Sequence, residues 1–231
     1  MKAMITPLLA ALLVSVTNAE ALEPFDPAKA TRWPGVETVE PEEAGIGRKI
    51  EDVPFFQLYG QATSLYKLTG DMGTVIVVRD PDCPVSVRYG PRISKMAHNY
   101  SNKGFSFAFI YLNEHLDVNR LQKDAANLRA PAVKIGRGSF AIASALDVKS
   151  TGEVFVLDSE NHLVYRGAID DQYGFGYTQD APTHNYLRNA LDARLKNMSI
   201  HTPATMAPGC AIDADPKKDD FLPVSPDSAL S

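Results

Sequence analysis

The sequence predicts an α/β fold: a central sheet of four or five strands, part parallel and part antiparallel, flanked by helices on both faces. Three observations predict it. Residues 74–78 (Thr-Val-Ile-Val-Val) and 105–112 (Phe-Ser-Phe-Ala-Phe-Ile-Tyr-Leu) are short apolar runs rich in β-branched or aromatic residues, as buried strands are. Each run precedes a stretch with apolar residues at helical spacing, and strand, helix, strand, helix in that order implies a parallel βαβ unit. Further on, residues 153–157 and 163–166 are separated by Asp158-Ser159-Glu160-Asn161-His162, a turn composition that makes an antiparallel hairpin.

Taken in order, residues 1–19 read as a secretory signal peptide. Lys2 supplies a positive start, and Leu8 to Val16 form an apolar core too short to span a bilayer. Thr17-Asn18-Ala19 ends in small residues, and Ala19-Glu20-Ala21 is an alternative cleavage site. No other stretch is long and apolar enough to cross a membrane. The mature chain is therefore expected in the periplasm, or outside a host with a single membrane, with no stable membrane anchor after signal cleavage. Residues 20–47, rich in Pro, Glu and Ala, read as an extended arm pinned by Phe25 and Trp33.

Residues 48–197 are the expected folded domain. Residues 55–68 alternate around Gly60 and read as strands with a turn. Leu121, Ala125 and Leu128 place a helix over 119–128, and residues 130–138 form a loop with a short strand. A short helix is expected over 139–146 and a final one over 181–195, with Leu187, Ala190, Leu191 and Leu195 facing the core. Residues 198–231 are a Pro-rich polar tail that carries Cys210 and is expected to be partly disordered.

A net charge of -5, a pI near 5.5 and no basic cluster exclude a nucleic-acid footprint. Two cysteines, Cys83 and Cys210, are too few for a disulfide scaffold, so their chemistry matters more than stapling. Cys83 lies where the first buried strand ends. Asp80, Pro81 and Asp82 break the strand, and Pro84 suits the first position of a helix because it lacks the N–H that would have no partner there. Ile93, Met96, Ala97 and Tyr100 then mark one apolar helical face. The free N–H groups and dipole of a helix N-terminus favour a thiolate, the nucleophile of disulfide exchange. Asp80 and Asp82 would oppose that ionisation, while Arg79, Arg88 and Arg92 would support it.

Cys83-Pro84-Val85-Ser86 after an apolar strand resembles the Cys-x-x-Cys site of the thioredoxin-like superfamily. Residues 50–195, with Thr151-Gly-Glu-Val-Phe-Val-Leu-Asp158 and Leu163-Val-Tyr-Arg-Gly167, are similar to its redoxin branch, the alkyl hydroperoxide reductase and thiol-specific antioxidant relatives. The resemblance implies a thiol oxidoreductase or thiol-dependent peroxidase without cofactor or metal. Its partners would be a thiol or disulfide protein, or a peroxide, and an external thiol reductant. Cys83 would be the nucleophile. Ser86 stands where a second Cys would, able to donate a hydrogen bond to a thiolate but unable to resolve a mixed disulfide. Cys210 would then be either the resolving thiol or half of a stable clip holding the tail. Two positions depart from the relatives. Asp80 replaces the Thr or Ser three residues before a peroxidatic cysteine, and Thr151-Gly152 replaces a cis-proline pair, leaving Thr151 beside the site. Arg166 is the later arginine placed to approach a sulfur, or else an exposed strand residue.

Two further features stand apart. Asp170-Asp171-Gln172-Tyr173-Gly174-Phe175-Gly176-Tyr177 reads as a structured surface loop, lacking the ligand spacing of a calcium loop. His201, Met206 and Cys210 are soft-ligand types that suit Cu(I), and a non-enzymatic binding or copper-handling module is the alternative function. Val87 occupies the position of the second Cys in a Cys-x-x-x-Cys copper motif. His98 and His115 read as plain surface residues.

Overall fold

The computed structural model describes residues 35–58, 62–112, 116–130, 133–137 and 140–212. The signal peptide, Phe25, Trp33, Gly60, His115 and the chain after Ile212 fall outside the described residues.

The first long apolar run forms β3, Gly73–Arg79, and all seven of its residues are buried. Helix α1, Pro84–Ser101, follows and leads into β4, Phe105–Tyr111. Helix α2, Val118–Leu128, then leads into β5, Lys134–Arg137, and α3, Phe140–Leu146, comes next. The expected hairpin is β6, Val154–Leu157, and β7, Leu163–Gly167. A two-residue pair, β8 (Tyr173–Gly174) and β9 (Tyr177–Thr178), and helix α4, Tyr186–Leu195, complete the domain.

Among the described residues the sheet has seven strands, more than the four or five expected. The extra ones are β1, Pro54–Gln57, and β2, Thr63–Ser64, which come from the stretch read as strands with a turn and join the sheet at one edge. With them the order is β2-β1-β5-β4-β3-β6-β7. β3 pairs in parallel with β4, and β4 with β5; β3–β6, β6–β7 and β1–β5 are antiparallel. The Leu65–Leu68 segment after β2 is a 3₁₀ turn rather than strand.

Alternation along β3 divides the core into two layers, because successive side chains point to opposite faces. Val75 and Val77 pack with Tyr89, Ile93, Met96 and Ala97 of α1, Leu121 of α2 and Leu187 of α4. Ile76 and Val78 pack on the other face with Ile142, Ala143 and Leu146 of α3 and with Phe55 of β1. Burying side chains of this size contributes about 1.5–3 kcal/mol each, so β3 is the fixed reference from which Cys83 projects. Among the described residues no helix is long and apolar enough to cross a membrane.

Helix α4 starts five residues later than its apolar pattern suggests. Thr183 and His184 are held outside it, their backbone N–H groups donating to the Asp171 carboxylate at 2.7 and 2.8 Å. The segment expected as a free tail is docked as far as Ile212. Thr38 and Thr205 form an antiparallel bridge, Val39 N–H donates to the Ala204 carbonyl at 3.1 Å, and Met206 N–H to that of Glu37 at 2.8 Å. On its other side Arg166 N–H donates to the Pro203 carbonyl and Thr205 N–H to that of Arg166.

Candidate functional site

Cys83 is the residue that caps α1, in extended conformation, with Pro84 at the first helical position. Its carbonyl accepts from Val87 N–H at 3.0 Å and its own N–H donates to the Asp80 carbonyl at 3.2 Å, so the backbone on both sides of the sulfur is fixed. The residue is 1% exposed. Burial opposes its ionisation, yet its pKa lies below the ordinary thiol value. The Thr151 hydroxyl, the Ser86 backbone N–H, and the thiol and backbone N–H of Cys210 all favour the thiolate. The charges expected to decide the matter do not. Arg79 donates to the Ser86 carbonyl and binds Asp124 at 3.0 Å; Arg88 lies over the Tyr173 ring; Arg92 binds Asp170. Asp82 binds Arg120.

Cys210 arrives from the other end of the chain. The segment after Ala207 runs antiparallel to residues 149–151, with an isolated bridge between Ser150 and Ala211. Thr151 N–H donates to the Cys210 carbonyl at 3.0 Å and Ile212 N–H to the Lys149 carbonyl at 3.1 Å. Cys210 N–H in turn donates to Thr151 Oγ1 at 3.0 Å, and Ser150 Oγ donates to the Ala207 carbonyl at 3.2 Å. The two backbones touch here. A Cβ on Gly152 would overlap the Pro208 carbonyl oxygen, and one on Gly209 would sit 2.7 Å from Gly152 N.

The two sulfurs are unlike. Both are free thiols, Cys83 buried and Cys210 exposed. The hydrogen bond that the Cys210 thiol gives to Cys83 raises its own pKa, reinforced by burial and by the Cys83 charge. Of the two neighbouring thiols, Cys83 is therefore the one that ionises more readily.

Thr151 thus stands beside the sulfur, as expected, and Pro84 starts the helix. Ser86 acts through its backbone, while its hydroxyl accepts from Asp80 N–H at 3.0 Å and closes the turn before the helix. Arg166 does not approach a sulfur and is not exposed. Its guanidinium binds Glu153 Oε1 at 2.6 Å (Nη2) and 2.8 Å (Nε) and donates to the Asp147 carbonyl. Burial pushes the Glu153 pKa up, against the Arg166 charge and the Lys149 N–H that pull it down. Position 80 supplies no hydroxyl; its carboxylate accepts from Asp82 N–H at 2.8 Å. Thr151, from across the site, supplies it instead. The peptide bonds there are trans, in keeping with the absence of the cis-proline. Asp170 accepts from Tyr89 OH at 2.8 Å and binds Arg92, and Asp171 binds Thr183 and His184. The acidic loop is therefore tied into α1 and the start of α4.

Sequence reasoning missed Ser150, Pro208 and Gly209. The one signal was the small-residue run around Cys210, which a close backbone approach requires.

Comparison with solved structures agrees on the fold. A conserved protein from Geobacillus kaustophilus superposes with a TM-score of 0.66 at 24% identity, covering 79% of this chain and 97% of that one. The peroxidoxin BcpB from Mycobacterium tuberculosis matches at 0.50 and 15% identity, over 66% of this chain and 97% of its own. A candidate thiol:disulfide interchange protein DsbE from Chlorobium tepidum matches at 0.52 and 16%, over 65% and 97%. The fold is thioredoxin-like, and structures of redoxin and thiol:disulfide interchange proteins are among its neighbours. No family model and no curated protein sequence matches the chain.

Proposed function

We propose that the chain is an exported thiol–disulfide oxidoreductase that uses Cys83 as nucleophile and Cys210 as resolving cysteine. One observation carries this reading: Cys83, buried at a helix N-terminus with its pKa below the ordinary thiol value, has beside it a second, exposed thiol, Cys210, held there by backbone bonds between its segment and residues 149–151. Export rests on the composition of residues 1–19.

Cys83 Sγ attacks a sulfur of a disulfide substrate. A new S–S bond forms, the substrate bond breaks, and the leaving thiolate takes up a proton. The negative charge on Cys83 is then gone, and with it two of the causes that raise the Cys210 pKa. Cys210 ionises more easily, attacks the Cys83 sulfur and expels the second substrate thiol, leaving an intrachain disulfide. An external thiol reductant attacks the exposed Cys210 sulfur, and Cys83, the sulfur of lower pKa, is the better leaving group. A hydroperoxide would enter the same cycle through a sulfenic acid on Cys83, with water lost on closure. Thr151 serves both steps, donating to Cys83 and accepting from Cys210 N–H.

The test is iodoacetamide labelling of the mature protein against pH, in wild type and Cys210→Ser, followed by mass analysis after one equivalent of oxidised glutathione or of peroxide. A Cys83 labelling midpoint below the ordinary thiol range and a Cys83–Cys210 disulfide support the reading. Ordinary labelling with no intrachain disulfide sinks it, and the domain is then a binding module.

A further inference from the structure

The backbone at residues 149–151, beside Cys83, is occupied by residues 210–212 of the same chain. A free sheet edge recruits a peptide by antiparallel hydrogen bonding, with alternate side chains giving specificity. Here the Lys149 carbonyl, Thr151 N–H and Thr151 Oγ1 are all paired with residues 210–212 of the same chain. Their geometry is that of a bound peptide with its cysteine aimed at Cys83.

The geometry points to residues 207–212 as a built-in occupant of a peptide-binding edge. The external partner of Cys83 would be an extended segment with glycine immediately before its cysteine, which must displace this occupant to react. The inference rests on Cys83 being the nucleophile, as proposed above.

The sequence preference follows from the close contact. Gly209 and Ala211, the neighbours of Cys210, border a cavity of about 300 Å³ whose lining includes Glu153, Arg166, Phe175 and Met206. At the position of Gly209 any Cβ lies 2.7 Å from Gly152 N and 3.1 Å from Thr151 Oγ1, too close for a larger residue without moving the strand. A partner using the same edge meets the same wall.

Occupancy alternates through the cycle. The partner strand, carrying one half of its own disulfide, takes the edge. Cys83 attacks that sulfur, an S–S bond forms to the partner, and the partner's second cysteine leaves as a thiol. Residues 207–212 then return, Cys210 attacks the Cys83 sulfur, and the partner departs with both cysteines reduced. The two electrons come from the Cys83 and Cys210 thiols, which end as the intrachain disulfide.

The experiment uses the full mature chain in a Cys210→Ser background, where Cys83 is the only cysteine. The probes are thionitrobenzoate mixed disulfides of the peptides Ala-Pro-Gly-Cys-Ala and Ala-Pro-Val-Cys-Ala, read by release of coloured thionitrobenzoate. Adding Gly209→Val, which displaces the occupant, should speed the glycine peptide about tenfold, as expected for freeing one or two competing hydrogen bonds. The valine peptide should stay about fivefold or more behind it. Ser150→Ala, a milder release that removes only the bond to the Ala207 carbonyl, should speed the glycine peptide about threefold. Equal gains for both peptides and for iodoacetamide mean that Cys83 was merely uncovered, and overturn the peptide edge. No gain for the glycine peptide in either variant, with iodoacetamide labelling intact, overturns it too. A Cys83 inert to iodoacetamide in every variant overturns the nucleophile reading itself, and this proposal with it.

Discussion

Burial ordinarily keeps a thiol protonated, so Cys83 owes its lowered pKa to four directed donors, on Thr151, Ser86 and Cys210, rather than to the charges around it. The Thr151 hydroxyl can be removed singly. Thr151→Val keeps the shape of the side chain and deletes the hydroxyl, so the labelling midpoint of Cys83 should move up in pH. Cys210 should also become easier to displace, since its N–H loses an acceptor, at a cost of about 1 kcal/mol. The rate of iodoacetamide labelling across pH checks the first, and amide exchange at Cys210 the second. An unmoved midpoint would show that Thr151 is only a wall of the site. The legibility of the site divides along the same line. Cys83 and Pro84 could be picked from sequence because a strand end and a helix start are local patterns, and Thr151 only through the resemblance that puts a cis-proline pair there. Ser86 and Arg166 could not be read correctly. Whether a serine acts by its hydroxyl or its N–H, and whether an arginine meets a sulfur or Glu153, depends on partners many residues away.

Between elements, the loop after β7 and the start of α4 are joined by one carboxylate. Asp171 is buried, which by itself would raise its pKa. The backbone N–H and ring of His184 and the hydroxyl and backbone N–H of Thr183 outweigh burial and hold it down to about 2. A depressed carboxylate stabilises the fold above its unfolded pKa, and the benefit is lost as pH falls through the folded value. The stabilisation should therefore be fully present above about pH 4 and fade between pH 4 and 2, to a total of about 2 kcal/mol. Urea unfolding of wild type and Asp171→Asn at several pH values checks this: the gap between them should be widest at neutral pH and close on acidification. A gap independent of pH would mean that Asp171 acts by packing alone. At this scale the sequence was most readable where elements are long. β3, β4, α1 and α2 follow from apolar period. The late start of α4 does not, because Asp171 captures the N–H groups that the helix would otherwise have used.

Over the whole molecule, the two cysteines lie more than a hundred residues apart in sequence and meet in the folded state without needing to move the domain. A bond between them would act mainly on the unfolded chain. Closing a loop of this length should stabilise the oxidised protein by about 5 kcal/mol over the reduced one in the chain-entropy account. Chemical denaturation with and without reductant measures the difference, and coincident midpoints would count against closure of the loop. The parallel-plus-hairpin sheet and its helical layers were visible in the sequence. The docking of residues 203–212 was not, because a Pro-rich polar segment shows no period, and its order comes from backbone bonds to residues 37–39, 149–151 and 166.

The zipping of residues 37–39 to 204–206 also fixes a chronology. Contacts so far apart in sequence close late, since a long loop must be gathered before they form. The βαβ unit that seats Cys83 needs only residues 73–111. During folding Cys83 should therefore be seated before residues 204–212 dock and bring Cys210 to it.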